Sequence, residues 1–166
     1  MANYDIMCFL EYYADRASVV SGGLRTPTNQ WQNFYQEPQD LSVDTEVGGS
    51  YLYLAFDVDG FGSSDAAAVN DLSVDLAATG ESVDITDAAM GADNLVIASL
   101  YIQSAGQNAF DASSAQLISR YIGSIEGAEL SEESVSWTVN PAIDKLKAQV
   151  PTRKITADML QKVVSV

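Results

Sequence analysis

The sequence predicts a mainly β fold: an antiparallel sandwich or barrel with short peripheral and C-terminal helices. Three observations predict it. Apolar and polar residues alternate at Leu72, Val74 and Leu76, and again at Val135, Trp137 and Val139, which is the period of a half-buried strand. Compact β-rich apolar runs stand at Tyr4–Tyr13, Tyr51–Phe56 and Leu95–Gln103. Helical spacing enters late, after Pro141. With 166 residues, 47% of them hydrophobic, the chain can bury a core as one domain. Residues 1–140 are expected to form its β-rich body and residues 141–166 its C-terminal helical segment.

The elements follow in order. Tyr4–Tyr13 is an apolar, aromatic strand. Asn29 to Tyr35, with Trp31 and Phe34, suits an edge strand or a loop that wraps the core. Leu41–Val47 alternates, Gly48-Gly49 follows, and Tyr51–Phe56 completes a hairpin signal. The second of these strands is apolar on both faces, so cover on both sides is expected. Val58–Ser64 is a glycine-rich loop, after which Ser64 and Asp65 suit the cap of a helical turn. Asp71–Leu76 is a strand, with Leu72, Val74 and Leu76 inward. Val83 and Ile85 suggest a short extended piece, and Thr86 a cap for a small helix Asp87–Met90 that Gly91 stops. Leu95–Gln103 is a strand and Ser104–Ser114 a polar loop.

Gln116–Ile125 and Ser134–Val139 are expected to pair as antiparallel neighbours, with Gly127 interrupting the first and Trp137 anchoring the core. Asn140 then suits a helix N-cap and Pro141 the first helical position. Ile143, Leu146 and Val150 fall on one helical face, and Pro151 ends that helix. Thr156 suits the cap of a last helix. Its Met159, Leu160, Val163 and Val164 share a face that this subunit or another must cover.

Charge narrows the partners. The net charge is -15, from 8 Lys+Arg and 23 Asp+Glu, so sequence-specific nucleic acid and anionic membrane surfaces are repelled. The longest apolar run is too short to span a bilayer. The charge is uneven. Lys145, Lys147, Arg153, Lys154 and Lys162 face only Asp144 and Asp158 after residue 140, so a basic end follows an acidic body. That end can dock on the acidic body of a neighbouring copy, which makes Lys145, Lys147, Arg153, Lys154, Met159, Leu160 and Val163 the expected subunit interface.

No reaction or cofactor is legible. There is no histidine, so the usual general base and the zinc clusters built on it are missing, and the single cysteine, Cys8, reads as a small core residue. Acids are too many for any one pair to stand out as a hydrolase couple. Asp57-Val58-Asp59-Gly60-Phe61-Gly62 invites a calcium reading, but the twelfth position of an EF-hand count is Ala68. Trp31, Tyr35, Tyr51, Tyr53 and Trp137 could stack sugars or pack a core. A calcium- or carbohydrate-binding β-sandwich module is therefore the alternative reading.

A family pattern runs from Arg120 to Ile155. A strand carries Tyr121-Ile122-Gly123-Ser124-Ile125-Glu126, a second leads to Trp137-Thr138-Val139, and Val150-Pro151-Thr152-Arg153-Lys154-Ile155 follows. Tyr51–Phe56 supplies an earlier piece. In these features the chain resembles the N-terminal region of small tail-tip and baseplate-hub proteins of tailed bacteriophages, the minor tail protein L type. That type continues past the arginine into a cysteine-bearing, cluster-linked module. No cysteine follows Arg153 here, so no cluster is implied. The resemblance implies a non-enzymatic virion component made in the host cytoplasm. It would form a ring, trimeric or hexameric, between the tail tube and distal tail or baseplate proteins, and an acidic inner surface would let DNA pass.

Overall fold

A computed structural model of the chain describes residues 3–16, 27–41, 50–61 and 71–141. The fold is mainly β. Its strands are β1 (Tyr4–Tyr13), β2 (Asn29–Gln32), β3 (Gln39–Asp40), β4 (Ser50–Tyr53), β5 (Phe56–Asp59), β6 (Leu72–Ala77), β7 (Leu95–Ser104), β8 (Gln116–Leu130) and β9 (Ser134–Pro141). Among the described residues there is one helix, α1 (Gly80–Ala89), between β6 and β7. The strands form a single sheet in the order β3-β4-β2-β1-β7-β8-β9-β6-β5. Its ladders are antiparallel except for β2 with β4, which is parallel.

That order is open, yet the chain brings its ends together. β4 lies near one end and β5 at the other, and only Leu54 and Ala55 separate them in sequence. Leu54 N–H donates to the Gln32 carbonyl at 3.0 Å, on the β2 side. The Ala55 carbonyl accepts from Ala77 N–H at 2.9 Å, on the β6 side. One stretch thus belongs to both ends, and the sheet curls on itself. The side chains agree. Trp31 on β2 lies 6.4 Å from Trp137 on β9, centroid to centroid, although β1, β7 and β8 stand between them in the sheet. They meet across the inside. Tyr12, Leu72, Val74, Val96 and Val135 fill the same interior.

A second apolar layer explains why β1 is buried on both faces. Met7 and Phe9 point outward into a cluster with Tyr35, Leu41, Tyr51 and Tyr101. Phe9 makes edge contacts with Tyr51, Tyr101 and Phe110 at 5.1, 5.6 and 4.9 Å. Such pairs add about 0.5–1.5 kcal/mol each beyond their buried area.

Several local expectations are corrected. The helix spans Gly80–Ala89, so Val83 and Ile85 are helical. The cap is Thr79, whose side chain accepts from Ser82 N–H while Ser82 Oγ accepts from Thr79 N–H. Thr86 lies inside the helix and bonds the Ser82 carbonyl at 2.6 Å. Gly91 does follow the end of the helix, at φ 86°. Tyr51–Phe56 is two strands rather than one, and Leu52 is 50% exposed, so it is not covered on both faces. Val58 and Asp59, expected to open the loop, belong to β5. β8 runs on through Gly127 with a register shift between Ile125 and Gly127. Asn140 and Pro141, expected as an N-cap and a first helical position, are paired strand residues at the end of β9, opposite Ser124 and Gly123. The rest of the expected C-terminal helical segment, the turn at Ser64 and Asp65, and most of Leu41–Val47 lie outside the described residues.

Candidate functional site

The curled sheet has a seam. Along one side β1 pairs with β7 over its full length, from Tyr4 opposite Ser104 to Tyr13 opposite Leu95. Along the other it pairs with β2 only from Phe9 to Tyr12. Among the described residues β5 pairs with β6 alone. The first half of β1 therefore faces β5 across the place that a longer β2 would fill.

Gln32 and Asn33 create this gap. Gln32 is fully buried, and its Oε1 accepts from Phe34 N–H and Tyr35 N–H, both at 2.8 Å. Its Nε2 donates to the Tyr35 carbonyl and to the Glu37 carbonyl at 3.3 Å. The bonds turn the chain out of the wall. Asn33 then spans the two strands: Oδ1 accepts from Cys8 N–H at 2.9 Å, and Nδ2 donates to the Phe56 carbonyl at 3.2 Å. A side-chain amide here does the work of a backbone amide.

Beyond Asn33 the seam opens into a cleft of about 390 Å³, lined by Ile6, Met7, Cys8, Asp57–Phe61 and Leu100. Ile6 lies on the inward face at its mouth and is 58% exposed. Alternation along β1 turns the peptide groups of Tyr4 and Ile6 into the cleft, since those of Cys8 and Tyr12 already bond on that side. The Val58 and Gly60 peptide groups face them from β5 by the same rule, and Asp57 Oδ1 holds Val58 N–H at 2.9 Å. Gly60 closes the strand at φ 102°. A Cβ there would stand 2.7 Å from the Asp71 carbonyl oxygen, so both conformation and space call for glycine.

Outward from the cleft stand Asp57 and Asp59, both exposed. They lie side by side on one strand, and Asp57 is directly opposite Asp75. Among the described residues the only cations are Arg16 and Arg120. Among them, too, no group of three or more acids, cysteines or histidines is placed to hold a metal ion.

Cys8 cannot serve as a nucleophile here. Burial pushes its thiol up to about 12, so it stays protonated. A second buried polar group sits on the outer face: Glu11 accepts from Tyr13 OH at 2.6 Å and Tyr51 OH at 2.5 Å. Burial, and then the Glu11 carboxylate, raise the Tyr51 hydroxyl well above its ordinary range. This enclosed carboxylate ties β1 to β4.

The residues expected to carry function fall unevenly. Lys145, Lys147, Arg153, Lys154, Met159, Leu160 and Val163 lie outside the described residues. Of the aromatic set, Trp31, Tyr35, Tyr51 and Trp137 are buried in the two apolar layers, and only Tyr53 is exposed, which leaves no sugar-stacking platform among them. Sequence reasoning missed Gln32, Asn33 and Glu11. The one signal for Glu11 was an acid set inside the apolar run Ile6–Tyr13. Compared with known proteins, the chain matches no family model and no curated sequence.

Proposed function

We propose that this chain is a structural component of a bacteriophage tail tip or baseplate hub, working as a ring between tail tube and distal tail proteins rather than as an enzyme. The phage assignment rests on the resemblance around Gly123 and Trp137. The observation that carries assembly is the wall of β8. Ile118 and Ile122 share its outer face and are 51% and 42% exposed. Apolar residues exposed together on a sheet mark an interaction surface. The neighbouring copy, with its basic end, is the partner of complementary charge.

Two experiments test this. Sedimentation and negative-stain imaging of the purified chain should show a ring of defined order. Ile118→Lys with Ile122→Lys should yield folded monomers. Mass spectrometry of virions from the source that encodes the chain should find it in the particle. A protein that stays monomeric at every concentration, or is missing from virions, overturns the reading.

A further inference from the structure

We propose that the outer patch Ile118, Arg120 and Ile122 of β8 seats the β8–β9 turn of a neighbouring copy, through Leu130 and the acids Glu132 and Glu133. This rests on the ring reading for the existence of an assembly, and on these two surfaces for the contact that builds it.

The patch is built by register. Ile122 stands opposite Ile97 and Arg120 opposite Ser99, and Ile118 follows at the same two-residue step, so the three side chains share the outer face. All three are exposed. Arg120 Nε donates to Ser99 Oγ at 3.1 Å. That bond fixes the guanidinium beside the sheet and leaves its terminal nitrogens to grip a carboxylate. Arg16 and Arg120 are the only cations among the described residues, and the whole chain carries 23 acids, so an acidic surface is what the patch selects.

That surface must also be apolar, since Ile118 and Ile122 flank the charge. The outer face of β5, β6 and β9 is acidic, but it presents Asp57, Asp59, Ser73, Asp75, Ser136 and Thr138, with nothing apolar for the isoleucines. The β8–β9 turn offers both. Leu130 is 58% exposed, and Glu132 and Glu133 are exposed beside it. The turn is also fixed before it binds. Ser131 N–H donates to the Ser134 carbonyl at 2.9 Å, and Ala78 N–H donates to the Glu133 carbonyl at 3.0 Å. Ser134 N–H donates to Ser131 Oγ at 3.0 Å. A turn held in this way loses little freedom on docking.

The layout of β8 makes the contact intermolecular. Leu130 lies eight residues beyond Ile122 on one continuous strand, about 27 Å away at the usual strand rise. A copy therefore cannot seat its own turn. Turn and patch join different copies head to tail, and such a contact closes into a ring or runs on as a filament according to the rotation between copies. The copies repel overall at a net charge of -15. At physiological salt that repulsion is screened beyond about 8 Å, whereas the Arg120 contact acts at close range.

The test uses the full-length chain in three preparations: unmodified copies, copies with Arg120→Glu, and copies with Glu132→Lys and Glu133→Lys. All the altered positions are exposed, and thermal melts verify that the variants fold. Sedimentation should show each variant alone associating at least about tenfold more weakly, because like charges then meet across the contact. An equimolar mixture of the two variants should assemble again. The turn of the first meets an unaltered patch on the second, and the reversed pair carries opposite charges once more. Variants that assemble alone as the unmodified chain does would overturn this contact and leave the ring standing. A mixture that stays monomeric would overturn the pairing of these two surfaces. Unmodified copies that form open filaments, with the same behaviour of the variants, would uphold the contact and overturn the ring reading, whereas unmodified copies that never associate would remove both.

Discussion

Trp137 donates its indole N–H to Thr86 Oγ1 at 2.7 Å, and Thr86 in turn donates to the Ser82 carbonyl at 2.6 Å. The pair joins the centre of the sheet interior to α1. It lets the largest side chain of the core be fully buried without an orphaned donor. Thr86→Val keeps the shape and removes the acceptor. It should cost about 1–3 kcal/mol, the penalty of a buried unpaired donor, and Thr86→Ser should recover most of it. Trp137→Ala should cost about 3–5 kcal/mol. Urea unfolding measures all three, and a neutral Thr86→Val would show that the bond adds nothing.

Burial of the Tyr51 hydroxyl, beside Glu11, gives the chain a dependence on alkaline pH. The folded state raises the Tyr51 hydroxyl above its ordinary value of 10.0, first by burial and then by Glu11. The folded protein therefore holds that proton more tightly than the unfolded chain. Stability from this group is complete below about pH 10 and falls as pH rises further, because the unfolded chain then releases the proton first. Tyr12 and Tyr35, raised chiefly by burial, act in the same direction. Denaturation midpoints measured from pH 8 to pH 11 should fall, and Tyr51→Phe should flatten the slope. An unchanged slope in that variant would exclude Tyr51 as its source.

How far the sequence reveals this molecule depends on the range of the deciding contact. Leu72 to Leu76 and Val135 to Val139 were legible because one face of each is buried and the pattern states it. Helix α1 was not. Val83 and Ile85 imitate strand alternation, and Ser82 stands where a capping box more often has Glu or Gln. Asn140-Pro141 carries a strong local helix signal, but pairing with Ser124 and Gly123 holds both residues in β9, at a strand end where proline is tolerated. The seam was illegible for a deeper reason. It exists because Ser50–Asp59 serves both ends of one sheet, and no local pattern carries that.

Asn33 offers a direct handle on the seam. Asn33→Ala leaves Cys8 N–H and the Phe56 carbonyl without their protein partner. Water at the open cleft can reach this rung, so a loss of about 1 kcal/mol is expected, near the lower end for an unpaired group. Hydrogen exchange at Cys8 should quicken while exchange in β6 and β9 stays slow. Uniform acceleration across the sheet would mean that Asn33 supports the whole fold rather than the seam.

Gly123 accounts for the glycine in the strand that carries the family resemblance. A Cβ at this position would lie 2.4 Å from the Asn140 carbonyl oxygen and 2.8 Å from both Val139 Cγ1 and Tyr121 Cε1. The Tyr121 ring crosses this point so that its hydroxyl can reach the Val139 carbonyl at 2.9 Å. The backbone oxygen cannot yield without breaking the β8–β9 ladder. Gly123→Ala should therefore cost about 3 kcal/mol or more, at or beyond the upper range of overpacking. Gly127 lies on the same strand, yet its nearest neighbour would be Thr138 Cβ at 3.7 Å, an ordinary contact. Gly127→Ala should be neutral or stabilise by about 0.5 kcal/mol, since alanine loses less backbone freedom in a strand. Thermal melts of the two variants side by side decide the matter. Equal melting temperatures would mean that β8 can shift away from β9, and the close approach at Gly123 would then be incidental.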